Sequence, residues 1–295
     1  MILVTGATGP FGNAVVQALL KTTPASRIAV LVRDQAKAQA LEAFGVGIRI
    51  GDYTNYDSLV KAFTGIDQLL FVSGNDIANR SLQQANVVKA AKEAGVKHVV
   101  YTSFQRKNET SSSPIAFVAK AHLETEQGLK ESGMAYTILR NSIYMDMLPI
   151  FIGDKVLETG TIFLPAGEGK VAYALRTDMA EAAANILTTK GHDNKVYEIA
   201  GNKAWSYSEI AEIISEVSGK SVSYVSPTRE VFRTDMSKAG VPEQYIGIFA
   251  GFSEAARQGE FRDTDPTLEQ LLGRKPTSVR EYLQKVYAPS AGVPA

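Results

Sequence analysis

Val4-Thr5-Gly6-Ala7-Thr8-Gly9-Pro10-Phe11-Gly12 lies between an apolar run, Met1-Ile2-Leu3-Val4, and a stretch from Asn13 to Lys21 with apolar residues at helical spacing (Ala14, Val15, Ala18, Leu19). The run predicts a strand buried on both faces and the stretch predicts a helix, so the glycines make the turn between them. Gly6 permits a tight turn, Gly9 lets the backbone approach a pyrophosphate with no side chain intervening, and Gly12 lets the helix lie close against the sheet. The free N–H groups and positive dipole end of the helix suit phosphate.

Outward from this turn, strand and helix patterns alternate. Arg27 to Arg33 reads as a second strand, Ala36 to Phe44 as a short helix ended by Gly45, and Gly47 to Ile50 as a third strand. Tyr56 to Phe63 reads as a helix, Gln68 to Ser73 as a strand, Leu82 to Ala94 as a helix and Lys97 to Thr102 as a strand. Phe117 to Ser132 is then helical and Ala135 to Arg140 is a sixth strand. Such alternation with short connections demands right-handed crossovers, hence an α/β, doubly wound parallel sheet. Its ligand crevice lies at the carboxyl ends of the strands, where the order reverses between the first and fourth.

Beyond Ile150 the regularity weakens. Pro165 to Gly169 is a turn cluster, Asp178 to Leu187 a helix, and Trp205 to Gly219 an amphipathic helix capped by Ser206 or Ser208. Val222 to Leu283 mixes short strand and helix patterns. The expected organisation is a dinucleotide-binding domain over 1–150, a smaller substrate-covering lobe over 151–287 with segments returning to the sheet, and a flexible tail over 288–295.

The 295 residues suffice for a sizeable core, and Lys plus Arg balances Asp plus Glu at 31 each. No long run of one sign argues for nucleic acid or an anionic membrane surface. The absence of cysteine excludes disulfides, thiolate metal sites and a cysteine nucleophile, so redox chemistry must come from a bound cofactor. With the first strand at the N-terminus and no apolar span long enough for a bilayer, the expectation is a soluble cytoplasmic protein, monomer or homodimer.

The end of the second strand falls beside the adenosine ribose, where an acidic side chain suits a 2′-hydroxyl and an arginine a 2′-phosphate. Arg33 occupies that position and favours NADPH; a register shifted by one residue would instead present Asp34. Asp52, after the third strand, either accepts from the adenine amino group or caps a turn.

The spacing Gly-x-x-Gly-x-x-Gly differs from the commoner Gly-x-Gly-x-x-Gly and points to extended and atypical short-chain dehydrogenases. With Leu31-Val32-Arg33, Gly51-Asp52-Tyr53, Ala90 to Lys97, Tyr101-Thr102-Ser103, Leu139-Arg140-Asn141 and Arg176-Thr177-Asp178, the chain from Met1 to about Leu283 resembles the NmrA-like group of those enzymes, in its quinone oxidoreductase and triphenylmethane dye reductase branch. The resemblance implies NADPH held through Gly6, Thr8, Gly9, Pro10, Phe11 and Arg33, with Ser73, Gly74, Thr102 and Ser103 lining the route to the nicotinamide. Ser73, Thr102 and Ser103 equally suit a role satisfying backbone groups at strand ends. Lys120 falls in Lys120-Ala121-His122-Leu123-Glu124, similar to a Lys-x-x-x-Glu helix whose lysine can reach the nicotinamide ribose.

Ordinary short-chain dehydrogenases reduce ketones with a tyrosine and a lysine four residues later. No tyrosine here has that lysine: Tyr101 is followed at that distance by Gln105, Tyr136 by Arg140 and Tyr144 by Leu148. Conjugated acceptors, which delocalise the incoming electron pair and take a proton from water, fit better: a quinone, or a triphenylmethane or azo dye. Asn141 would orient the cofactor amide or polarise an acceptor oxygen, or else serve a turn. The apolar stretch Ile143 to Phe151 would wall an acceptor pocket or simply pack. Asn141, Tyr144 and Lys120 are the candidate catalytic residues, while His122 is expected on the surface. No flavin or metal is expected. The competing reading, equally consistent with the absent pair, is a non-catalytic NADP-binding redox sensor.

Overall fold

A computed structural model describes residues 1–289. The strands of the main sheet are β1 (Ile2–Val4), β2 (Ile28–Val32), β3 (Gly47–Ile50), β4 (Gln68–Phe71), β5 (His98–Phe104) and β6 (Ala135–Asn141), joined by α1 (Pro10–Leu19), α2 (Gln39–Glu42), α3 (Tyr56–Phe63), α4 (Arg80–Glu93) and α5 (Ala116–Glu131). The chain continues through α6 (Leu148–Ile152), α7 (Val156–Thr159), β7 (Thr161–Phe163), β8 (Lys170–Val171) and α8 (Arg176–Thr188). It then forms β9 (Lys195–Ile199), β10 (Trp205–Ser206), α9 (Tyr207–Ser218), β11 (Ser223–Val225), α10 (Arg229–Lys238), α11 (Glu243–Arg257), α12 (Thr267–Leu272) and α13 (Val279–Tyr287).

The sheet order is β3-β2-β1-β4-β5-β6-β9, parallel throughout, with Ile2 of β1 registered against Ile28 on one side and Gln68 on the other. The expected reversal between the first and fourth strands is present. Alternation in the strands sends Val4, Leu70, Val100 and Leu139 to a core shared with α1 and α8, and Leu3, Leu69, Phe71 and Tyr101 to a core shared with α3, α4 and α5. The seventh strand, β9, lay outside the strand pattern read from the sequence because it is an edge: only Ile199 is buried, and Val196 is exposed.

Local corrections have local causes. The helix expected over 36–44 opens as a 3₁₀ turn over Gln35–Ala38 before α2, and Gly45 ends it at φ +74°. Ser206, rather than Ser208, caps α9 in a capping box: it accepts from the Glu209 N–H (3.2 Å), and Glu209 accepts from the Ser206 N–H (2.8 Å). The stretch from Val222 to Leu283 is chiefly helical, with β11 its one strand. A separate core assembles Ile143, Met145, Leu148 and Ile152 with residues of α9, α11 and α13 into a lobe over the strand ends. The lobe is discontinuous, since α8, β9 and α12 return to the sheet side. Of the expected tail, residues 290–295 lie outside the described residues. No helix among the described residues is long and apolar enough to cross a membrane.

Candidate active site

The glycine turn has the backbone that the sequence demands. Gly6 sits at φ +61°, the Gly9 N–H donates to the Gly6 carbonyl (2.9 Å), and Gly9, extended, is the N-cap of α1 with Pro10 as first helical residue. No side chain caps the first turn, which leaves its amides facing outward. A β-carbon on Gly12 would lie 2.4 Å from the Gly6 carbonyl oxygen, so only glycine lets α1 begin this close to the turn. Thr8 and Pro10 are exposed, and a cavity of about 620 Å³ runs beside them between α1 and the start of α8. Phe11 buries its ring, stacked 6.0 Å from Tyr144, while its backbone forms part of the uncapped first turn of α1.

A lock below the turn was not legible in the sequence. The buried Thr5 hydroxyl accepts from the Val72 N–H (2.9 Å) and shares its own proton with the Tyr53 hydroxyl (2.5 Å), which donates to the Val72 carbonyl (2.9 Å). It fixes the ends of β1 and β4, the two walls of the switch point.

At the end of β2, Arg33 is exposed and enters no ion pair among the described residues. Asp34 is committed: its carboxylate accepts from the Ala36 N–H (2.9 Å) and caps the 3₁₀ turn. Asp52 is committed likewise, accepting from the Thr54 N–H (2.8 Å) and hydroxyl (2.7 Å), and these bonds hold its carboxyl below the usual range. Of the two roles weighed for Asp52, the turn is present, and both of its bonds fall on Oδ1.

At the ends of β4 and β5, Thr102 Oγ1 accepts from the Ser73 N–H (2.9 Å), which places Ser73 and Gly74 at the crevice edge. Ser103 faces away: its hydroxyl donates to Glu126, a carboxylate also held by Arg106 (3.0 Å) and Arg140 (2.8 Å). Burial opposes ionisation of Glu126, yet these bonds prevail and hold its pKa at about 2.

The face of α5 that meets the sheet carries Ala119, His122 and Glu126. Lys120 stands 200° of helix from His122 by the ordinary 100° per residue, is exposed, and pairs loosely with Glu124 (3.9 Å); the structure does not bring it to the strand ends. His122, expected on the surface, is 4% exposed, with Nδ1 2.7 Å from the Tyr101 hydroxyl and Nε2 3.4 Å from the Arg80 guanidinium.

Asn141, the last residue of β6, is 2% exposed; its Nδ2 lies 3.5 Å from the Tyr144 hydroxyl, and its Oδ1 has no hydrogen-bond partner among the described residues. Tyr144 lies between the Phe11 ring and the Arg176 guanidinium, 4.8 Å above it, and burial raises its phenol pKa. Arg176 is in turn 3.4 Å from Asp146. Of the stretch from Ile143 to Phe151, the residues Ile143, Met145 and Leu148 pack into the lobe core, whereas Phe151 joins a second group of rings. That group centres on Phe252 of α11, which meets Phe104 (5.9 Å), Phe117 (6.5 Å) and Phe151 (5.9 Å) edge to face, with Phe249 against Phe151 (5.5 Å). None of these five rings is fully buried, and Phe104 is registered against Asn141 in the sheet. Phe249 and Phe252 stand three apart on one helix, but nothing in the sequence showed what they face.

A doubly wound parallel sheet with an uncapped glycine turn at its switch point, roofed by a lobe over the strand ends, defines a Rossmann-type dinucleotide-binding protein. The chain belongs to the NmrA-like family, whose model matches residues 1–283. It is 32% identical over 292 residues to the NAD(P)H azoreductase of Xenophilus azovorans, covering 99% of both chains. Among solved structures it is similar to Escherichia coli NADPH-dependent quinone oxidoreductase QOR2 in complex with NADPH, with a TM-score of 0.91 and 38% identity over 97% of this chain and all of that one. Citrobacter sp. triphenylmethane reductase complexed with NADP(H) is similar at a TM-score of 0.89 and 41% identity, with 97% of this chain and 99% of that one covered.

Proposed function

We propose that this protein is an NADPH-dependent oxidoreductase that reduces a quinone or a similarly conjugated acceptor, such as a triphenylmethane or azo dye, with no flavin or metal. The observation that carries this reading is that the strand ends running from the glycine turn finish under half-covered aromatic rings rather than beside a tyrosine and lysine pair. The site fits the cofactor: the first turn of α1 has no side-chain cap, Arg33 is uncommitted where a 2′-phosphate would lie, and Asn141 Oδ1 is a buried acceptor without a partner among the described residues. NADPH, when bound, supplies the hydride.

The residues of the chain bind, orient and exclude water. The first turn of α1 holds the pyrophosphate and Arg33 the 2′-phosphate, while Ser73, Gly74 and Thr102 edge the crevice. Asn141 orients the carboxamide, and the rings around Phe252 hold a flat acceptor in an apolar cleft, where placement supplies most of the rate. The acceptor spreads the electron pair over its conjugated system and takes its proton from water. The relatives named as reductases support this reading over that of a sensor. We place this oxidoreductase in the cytoplasm, as a monomer or a homodimer.

Purified protein is expected to oxidise NADPH in the presence of a naphthoquinone, a cationic triphenylmethane dye and an azo dye. In the same assay Arg33→Ala should weaken NADPH about tenfold or more while changing NADH about twofold at most, because a charge-assisted pair to the 2′-phosphate is lost. Absence of oxidation across the panel overturns the activity, and equal weakening of both dinucleotides overturns the role of Arg33.

A further inference from the structure

The segment joining β5 to α5, residues 105–115, is fastened on two sides. On the inner side Arg106, its side chain without solvent exposure, donates from Nη1 to Glu126 Oε1 (3.0 Å) and to the Phe104 carbonyl (2.8 Å). On the outer side stands Glu260, 4% exposed, whose Oε2 accepts both the Lys107 N–H (2.7 Å) and the Asn108 N–H (3.0 Å). Asp263 reinforces the attachment through Lys107 Nζ (2.7 Å), and its carbonyl accepts from Gln105 Nε2 (3.1 Å).

The end of α11 aims Glu260 at this segment. The Gly259 N–H bonds the Ala256 carbonyl (2.9 Å) and the Glu260 N–H bonds the Ala255 carbonyl (3.0 Å), with Gly259 at φ +79°, which is a Schellman ending. The chain therefore reverses at Gly259 and delivers Glu260 to two consecutive amides. A carboxylate accepting from both is a stronger link than a neutral hydrogen bond, and its removal strands both donors. Gly251 brings α11 flush against the same segment, since a β-carbon there would lie 3.1 Å from the Pro114 carbonyl oxygen and 3.3 Å from the Phe117 ring.

Phe104 and Phe117 flank this segment, and Phe252 lies on α11, so the Glu260 attachment joins the two walls of the aromatic cleft. We propose that Glu260 is a positioning residue: by holding the 105–115 segment to the end of α11 it fixes the spacing of those walls, and with it the affinity for a flat acceptor. The proposal rests on the reading of the cleft as the acceptor site. Glu260 makes no contact with the glycine turn or Arg33, so cofactor binding is independent of it.

The test compares wild type, Glu260→Ala and Glu260→Gln, the glutamine keeping a carbonyl oxygen that can accept from both amides. Amide hydrogen exchange at Lys107 and Asn108 should accelerate about tenfold or more in Glu260→Ala, and the KM for a naphthoquinone should rise by a similar factor. The kcat and the Kd for NADPH should stay within about twofold, and Glu260→Gln should recover most of both changes. Unchanged exchange at the two amides overturns the attachment. Accelerated exchange with an unchanged acceptor KM, or a loss confined to kcat, overturns its role in acceptor affinity. If Glu260→Ala does not fold, Glu260→Asp, which withdraws the carboxylate by one methylene from the Lys107 and Asn108 amides, replaces it, with the same expected rise in exchange and KM and the same overturning results. A wild type that reduces no acceptor overturns the proposed function, and the amide exchange still decides the attachment.

Discussion

Burial decides what His122 does. Arg80 can only donate, so Nε2 accepts, the imidazole proton sits on Nδ1, and the Tyr101 hydroxyl receives it while donating to Gln84 (2.9 Å). Desolvation first, then Arg80 and Arg106, pushes the His122 pKa down from 6.5 to about 3. The unfolded chain therefore binds a proton in that window that the folded chain refuses. Stability is undiminished above about pH 6.5 and falls as the pH drops toward 3, by about 1.4 kcal/mol per pH unit from this group. Chemical unfolding of His122→Gln between pH 6.5 and 4.5 should show a shallower dependence than wild type. His98, also lowered chiefly by burial, contributes to the slope of both, so the difference between them is the measurement; parallel profiles would refute a neutral buried His122. The sequence placed this histidine on the surface because residue type and helical spacing name a face only relative to a partner, and the partner comes from β5. By contrast Arg33 was legible, because the strand ends where its apolar run ends. Next to it, Asp34 is engaged by a short-range hydrogen bond from the Ala36 N–H, which the sequence did not show.

At the scale of elements, the turn from β1 to α1 was readable down to its glycines because each answers a backbone requirement that no other residue meets. Gly12→Ala should cost about 2 kcal/mol or more, since the atoms in the way are the Gly6 carbonyl and the Ala7 Cα and neither can rotate aside. Gly9→Ala meets only the Gly6 oxygen, at 3.3 Å, and should fold while weakening NADPH. Thermal unfolding and NADPH titration of the two variants separate these outcomes; a Gly12→Ala protein as stable as wild type would refute the close packing of α1. Of the six strands read from the sequence, the central ones are buried on both faces and carry continuous apolar sequence, whereas β3, an edge with no buried residue, was marked by the glycines on either side of it. The edge strand β9 escaped because its alternation is diluted by Lys195 and an exposed Val196.

For the whole molecule, the consequential feature is the meeting of Phe104, Phe117, Phe151, Phe249 and Phe252 from four stretches of chain. Phe252 is central to it, so Phe252→Ala should raise the KM for a naphthoquinone or a triphenylmethane dye about tenfold while leaving the NADPH Kd within about twofold. An unchanged acceptor KM would move the acceptor site elsewhere. Individually these rings read as core, and Phe261, stacked 6.0 Å from Phe252, is core. The others stay partly uncovered because the lobe closes over the strand ends only as far as α11 and the 105–115 segment allow.

The sequence by itself determined the doubly wound fold, the dinucleotide turn and the arginine at the end of β2, since each depends on interactions within a few residues or on a repeating pattern. The tertiary structure alone decided that His122 and Glu126, rather than Lys120, face the sheet, that Ser103 serves an ion network, and that phenylalanine rings from both lobes meet beside the end of β6. These outcomes depend on which surfaces meet, and contacts between residues distant in the chain leave no local signature in it.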